Sequence, residues 1–337
     1  MKATLDEYKG VWTLGEIRDG KIHPVSYELL AWGRDLADKL GVELVSVVLG
    51  HSITDQAGDL IARGADRVYV VDRPELEFFN VEIFDKVLCA LINELKPEVF
   101  IASATSAGRT IMPVIATKLY TGLTADCTGL DIDESERLLI QTRPAIGGNV
   151  MATIKTPNHR PQMATVRPKS MRPLPADETR KGEVVNKEVS EELLTSRIKR
   201  IAFEKEETVG KPLQDADVIV SGGFGMKDRK NCEQLGRIAS ALGGSVGASR
   251  RVVDMGWLSY SHQVGLSGKT VSPRLYLAFG ISGAVQHMAG MSSSEVVVAV
   301  NSDQEAPIFR VADFGIVGDL FEVIPELDKK LAKSSAN

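Results

Sequence analysis

Short β-rich runs alternate along most of this chain with stretches whose apolar residues recur at helical spacing. Few folds satisfy such an alternation. In the first half the runs are residues 42–49, 68–71 and 99–102, each of a length suited to a buried parallel strand. Between them, residues 28–40 place Leu29, Leu30, Trp32, Leu36 and Leu40 at helical spacing, and residues 81–95 place Ile83, Phe84, Val87, Leu88, Leu91 and Ile92 on one face. Gly41 and Gly64 follow two of the helical stretches, where a left-handed cap residue belongs. Strands alternating with helices imply a parallel sheet covered on both faces.

From residue 125 the pattern changes. Residues 138–142, 149–154 and 162–166 read as successive strands with short turns. The run Arg167-Pro-Lys-Ser-Met-Arg-Pro173 and the charged stretch to Glu192 read as an exposed connection, and residues 198–203 as one more strand. The polar segment 204–211 marks the main boundary. A chain of 337 residues exceeds one comfortable core, so two domains are expected, 1–207 and 208–337. In the second, strands are expected at 217–220, 275–279 and 295–300, and helices at 231–242, 282–291 and 321–331.

Composition narrows the function classes. A net charge of −5 argues against a nucleic-acid binder, and no apolar run approaches the ~20 residues needed to span a bilayer. The opening residues carry Asp6 and Glu7 and resemble neither a secretory signal nor a transit peptide; a cytoplasmic location is expected, most simply in a bacterium. Cys89, Cys127 and Cys232 lie far apart, so no spacing encodes an iron–sulfur cluster or zinc site.

The chemistry concentrates in the second domain. Ser221-Gly-Gly-Phe-Gly225 and Gly280-Ile-Ser-Gly-Ala-Val-Gln-His287 each follow a strand directly. Gly247-Ala-Ser-Arg-Arg251, Gln263-Val-Gly-Leu-Ser-Gly-Lys269 and Asn301 with Ala312-Asp-Phe-Gly-Ile-Val-Gly-Asp-Leu320 complete the set. Open parallel sheets bind ligands beyond the C-terminal ends of their strands. Glycines let backbone approach a phosphate, and helix N-termini offer unpaired N–H groups. Any one such loop is ordinarily just a turn, Arg250 alone a surface residue, and His287 alone a helix-end histidine. Several together point to a dinucleotide. A nicotinamide fingerprint is absent, because Gly223-Phe-Gly225 is followed by Asp228 where the third glycine should stand. That weakens an NAD-dependent dehydrogenase and leaves a nucleotide-binding scaffold without redox role as the other alternative.

The run Leu275-Tyr-Leu-Ala-Phe-Gly-Ile-Ser-Gly-Ala-Val-Gln-His-Met-Ala-Gly-Met291 resembles the signature of the electron transfer flavoprotein alpha subunit. Gly247–Arg250, Val264-Gly265, Gly268-Lys269, Val298–Asn301, Ala306–Phe309 and Ala312–Phe321 continue the match. Ala102–Arg109 and Gly122–Thr128 extend it, less distinctively, into the first domain. The resemblance implies an FAD-binding Rossmann-like (DHS-like) second domain. It implies a heterodimer with a beta subunit carrying AMP or a second FAD, a flavin dehydrogenase partner such as acyl-CoA dehydrogenase, and, in some members, an electron-bifurcating NADH-dependent complex. Carried over by position, Gly223, Phe224, Gly225 and Gly280 belong to the glycine loops. Ser249 and Val264, Gly265, Leu266 and Ser267 face the flavin half; Ser282, Gly283, Ala284, Val285, Gln286 and His287 wrap the pyrophosphate, ribityl chain and ring edge; and Asn301, Asp319 and Leu320 sit at the adenosine half. Arg250 lies by the isoalloxazine ring, with His287 at its pyrimidine edge as a cation that weakens on deprotonation. No catalytic or metal-ligating residue is implied. Two departures stand out. The family usually has arginine at the position of Phe224, so Phe224→Arg is expected to tighten FAD retention. It often has Gln-Thr where Leu266-Ser267 stand.

Overall fold

The computed structural model describes residues 5–145, 150–202 and 211–334. Residues 5–144 with 151–202 form one compact unit, and residues 211–334 another. The boundary expected at 207/208 lies outside the described residues.

The first unit runs β1 (Val11–Gly15), β2 (Ile17–Arg18), β3 (Lys21–Ile22), α1 (Val25–Leu40), β4 (Leu44–Gly50), α2 (Ala57–Ala62), β5 (Arg67–Asp72), α3 (Val81–Leu95), β6 (Val99–Ser103), α4 (Ser106–Lys118), β7 (Leu123–Cys127), β8 (Gly129–Asp133), β9 (Leu138–Pro144), β10 (Met151–Ile154), β11 (Gln162–Val166) and β12 (Glu183–Asn186). A seven-stranded sheet of order β12-β5-β4-β1-β6-β11-β7 is parallel throughout. Leu29, Leu30 and Leu36 of α1 and Leu60 of α2 bury on one face, and Val87, Leu88 and Leu91 of α3 and Ile111 and Ile115 of α4 on the other. Strands β10-β9-β8 make a small antiparallel sheet. Helix α3 has the expected bounds, its first turn capped by the Asn80 side chain accepting from the Glu82 N–H. Gly41 closes α1 at φ 65°, the left-handed conformation glycine adopts without steric cost.

Three expectations need correction. Residues 198–202 form no strand, and Ile201 is 98% exposed; Phe203 lies outside the described residues. The stretch read as mere connection contributes β12, which pairs in parallel with β5 as an edge strand. A short edge strand tolerates charge, so its composition resembles a loop. Residue 149, expected to open a strand, is outside the described residues, and β10 begins at Met151.

The second unit runs β13 (Val218–Gly222), α5 (Arg229–Ala241), β14 (Ser245–Ala248), α6 (Arg250–Asp254), β15 (Leu275–Phe279), α7 (Val285–Met288), β16 (Val296–Asn301), β17 (Phe314–Val317) and α8 (Leu320–Ser334). Its five-stranded sheet is parallel, in the order β14-β13-β15-β16-β17. Strand alternation sorts the core: Val220, Leu277 and Phe279 pack with Leu235, Ile238 and Ile324 of the helices, while Ile219, Tyr276 and Ala278 pack with Met291 and Ile308. The helix expected over 282–291 is only the four residues of α7, because Gly283 at φ 89° interrupts the approach to it.

Candidate functional site

The chain leaves β13 to one side for β14 and returns past it to β15. This order opens a crevice beyond the C-terminal ends of β13 and β15, where doubly wound sheets bind ligands. A cavity of about 1110 Å³ lies there, slightly larger than ordinary small-molecule sites. It is lined from the end of every strand of the sheet: Phe224 and Gly225 after β13, Ser249 to Arg251 after β14, Gly280 to Ser282 after β15, Asn301 and Ser302 at β16, and Gly318 and Asp319 after β17.

The glycines have a steric reason. A Cβ on Gly223 would come within 2.1 Å of the Gly280 carbonyl oxygen, and Gly280 itself stands at φ +61°. The two loops therefore touch backbone to backbone, and a larger residue would part them. Beside them, the backbone N–H groups of Ser282, Gly283 and Ala284 donate to no acceptor among the described residues. Ser282 and Ala284 line the cavity, and unpaired backbone N–H groups beside a cavity are candidate donors for an anion.

Charge and aromatic rings gather on the wall. The Arg251 guanidinium carbon lies 3.7 Å from the centre of the Phe224 ring, which stacks on Trp257 at 5.6 Å with planes 8° apart. Lys227 Nζ lies 4.6 Å from the centre of Phe321. Arg250 pairs with Asp254 at 3.4 Å. Ser267 Oγ accepts from the Gln263 side-chain amide at 3.0 Å. The Asn301 side-chain amide donates to the Ile281 carbonyl at 3.0 Å, while Asp319 accepts from the Phe321 N–H at 2.9 Å at the start of α8.

His287 lines the cavity with its ring almost wholly buried, 6% exposed. Its Nε2 is 2.9 Å from the Tyr276 hydroxyl, and its buried Nδ1 has no well-aligned hydrogen-bond partner among the described residues, the Val264 backbone being the polar group beside the ring. Burial pulls the imidazole down to about 4, opposed by the nearby Val264 backbone. With no anion beside it among the described residues, the ring is therefore held in its neutral form at neutral pH, because desolvation disfavours the charged form. The three cysteines are unpaired, and burial raises Cys89 and Cys127 to about 12 and Cys232 to about 11, which keeps them unreactive.

Of the residues singled out in the sequence, Phe224, Gly225, Ser249, Arg250, Val264, Gly265, Leu266, Ser267, Gly280, Ser282, Ala284, Gln286, His287, Asn301, Asp319 and Leu320 line the cavity. Gly223 stands behind the wall, against Gly280. Gly283 packs on Ile308, its hypothetical Cβ only 2.2 Å from that backbone nitrogen, and Val285 is 45% exposed away from the lining. Sequence reasoning missed Lys227 and gave no site role to Arg251 or Phe321, although both stood inside segments it singled out. The paired Arg250-Arg251 was visible, but nothing in the sequence tied Arg251 to Phe224, 27 positions earlier.

Comparison with known proteins names this architecture. Residues 11–192 match the electron transfer flavoprotein domain, and residues 212–292 the electron transfer flavoprotein FAD-binding domain. The chain is 50% identical to an electron transfer flavoprotein subunit alpha of Thermoanaerobacterium thermosaccharolyticum, over 98% of this chain and 99% of that one. It is 43% identical to an acryloyl-CoA reductase electron transfer subunit beta of Anaerotignum propionicum, over 96% and 95%. It is 40% identical to the lactate dehydrogenase (NAD(+),ferredoxin) subunit LctC of Acetobacterium woodii, over 97% and 78%. The lining fits FAD: the glycine loops touch backbone to backbone, Ser282 and Ala284 carry backbone N–H groups without acceptors among the described residues, and Arg250, Arg251 and Lys227 bring positive charge to the wall. The chain belongs to the electron transfer flavoprotein alpha subunit family, with an FAD-binding second domain.

Proposed function

We propose that FAD occupies the cavity at the strand ends and that the chain carries electrons from a flavin dehydrogenase of the acyl-CoA dehydrogenase type to an acceptor, working as a heterodimer with a beta subunit. The observation that carries this reading is the convergence of loops from all five strands on one cavity. Bound FAD supplies the redox chemistry, taking up and releasing electrons at its isoalloxazine ring. The chain's own residues hold and orient it. The unpaired N–H groups of Ser282 and Ala284 receive the diphosphate. Arg250, Ser267 and His287 lie toward the ring, with His287 offering a neutral Nδ1. Asn301, Asp319 and Leu320 lie toward the adenosine. Residues 1–207 serve the beta subunit interface. Purified with its beta subunit, the protein should be yellow; a colourless complex that takes up no FAD would sink this reading.

A refinement puts the chain in an electron-bifurcating complex, with a second FAD in the beta subunit. The likeness to a subunit of an NAD(+),ferredoxin lactate dehydrogenase supports it. Two FAD per heterodimer would favour bifurcation, and one FAD with bound AMP a simple carrier.

A further inference from the structure

We propose that Arg251 is the cation that grips the diphosphate of the bound dinucleotide, held in readiness by the ring of Phe224. This rests on the reading of the cavity as an FAD site and adds a ligand contact to it.

Three observations support the assignment. Arg251 lines the cavity together with Phe224 and Gly225 of the first glycine loop. Its guanidinium carbon lies 3.7 Å from the Phe224 ring centre, and that ring is itself fixed by its stack on Trp257. Among the described residues Arg251 forms no ion pair, whereas the neighbouring Arg250 is engaged with Asp254.

The chemistry follows from the shape of the group. A guanidinium carried over an aromatic face is attracted through that face. Its five N–H donors point outward in the plane and stay available. Oxygens of a phosphate accept from such a fork in pairs. Stacking also restricts the long arginine side chain before the ligand arrives, so less freedom is lost on binding. Lysine in the same place would keep the charge and lose the fork. The apolar ring in the glycine loop is therefore a platform for a cation supplied from α6.

The test uses the full chain co-expressed with its beta subunit. Release of flavin on dilution is followed by fluorescence, and rebinding of FAD and of riboflavin, which lacks the diphosphate, is titrated after the flavin is stripped. Arg251→Ala should weaken FAD by about ten- to a hundredfold, the range for one charge-assisted contact, and leave riboflavin unchanged. Arg251→Lys should recover part of the loss. Phe224→Leu keeps an apolar side chain beside Trp257 and removes the platform; it should weaken FAD by a smaller factor, again sparing riboflavin. Inorganic pyrophosphate should slow rebinding of FAD to the parent protein more than to Arg251→Ala. Unchanged FAD affinity in Arg251→Ala overturns the proposal. So does an equal loss for FAD and riboflavin, which would put Arg251 at the ring. A parent complex that binds no FAD at all overturns the reading of the cavity itself, a result distinct from both.

Discussion

The hydroxyl of Tyr276 meets Nε2 of His287 at 2.9 Å inside the second unit, joining the central strand β15 to the short helix α7 that borders the cavity. Tyr276 is fully buried, and burial pushes its phenol well above the usual range, so the pair is a neutral hydrogen bond. Tyr276→Phe would remove the partner of Nε2 of His287. It should destabilise the protein by about 1–3 kcal/mol, the cost of an unmet buried polar group, read as a lower urea midpoint at unchanged slope.

The buried imidazole also sets a pH dependence. His287 titrates at about 4 in the folded protein against an ordinary 6.5, so between those values the unfolded chain binds the extra proton. Stability is therefore full above about pH 6.5 and falls as the pH drops toward 4, by at most about 3 kcal/mol. In flavin-free protein, His287→Gln should flatten this part of the stability curve. An identical slope in parent and variant would rule out the assignment.

Contact between the glycine loops predicts an asymmetry among glycines. Gly223→Ala pushes a methyl into the Gly280 carbonyl at 2.1 Å and should cost roughly 1–3 kcal/mol while loosening FAD. Gly58→Ala, inside α2 with open space around its Cβ, should instead stabilise by about 0.5–1 kcal/mol. Thermal melts and flavin retention of the two variants make the comparison.

Phe224→Arg reverses an expectation drawn from the sequence. With Arg251 already over that ring, a second arginine sets like charges together and removes the stack, so FAD retention should not improve. Combined with Arg251→Ala, the same substitution should recover retention lost in Arg251→Ala alone. Tighter retention in the single variant would contradict this.

Much of the fold was legible because buried parallel strands write themselves as continuous apolar runs. Residues 81–95, 162–166 and 275–279 have the expected bounds. β12 was hidden because edge strands accept charge, and β1 because Val11-Trp-Thr-Leu-Gly15 is mixed in composition and does not stand out, though it lies at the centre of its sheet. Site residues next to strand ends were readable from glycine spacing. Arg251 and Phe321 were not, since each belongs to the cavity through a partner distant in sequence. The depressed titration of His287 was also out of reach, because it follows from burial in the folded unit rather than from neighbours along the chain.

A cavity walled by the ends of all five strands has a thermodynamic consequence. Its lining runs from Phe224 to Phe321, so no fragment of the unit can assemble it, and a ligand recognising the whole wall has little affinity for the unfolded chain. FAD then acts as a fastening for the entire sheet: at a free concentration a hundred times its dissociation constant it adds about 2.7 kcal/mol to the unfolding free energy. Flavin supply would set how long this domain survives unfolding and proteolysis, before any electron is moved.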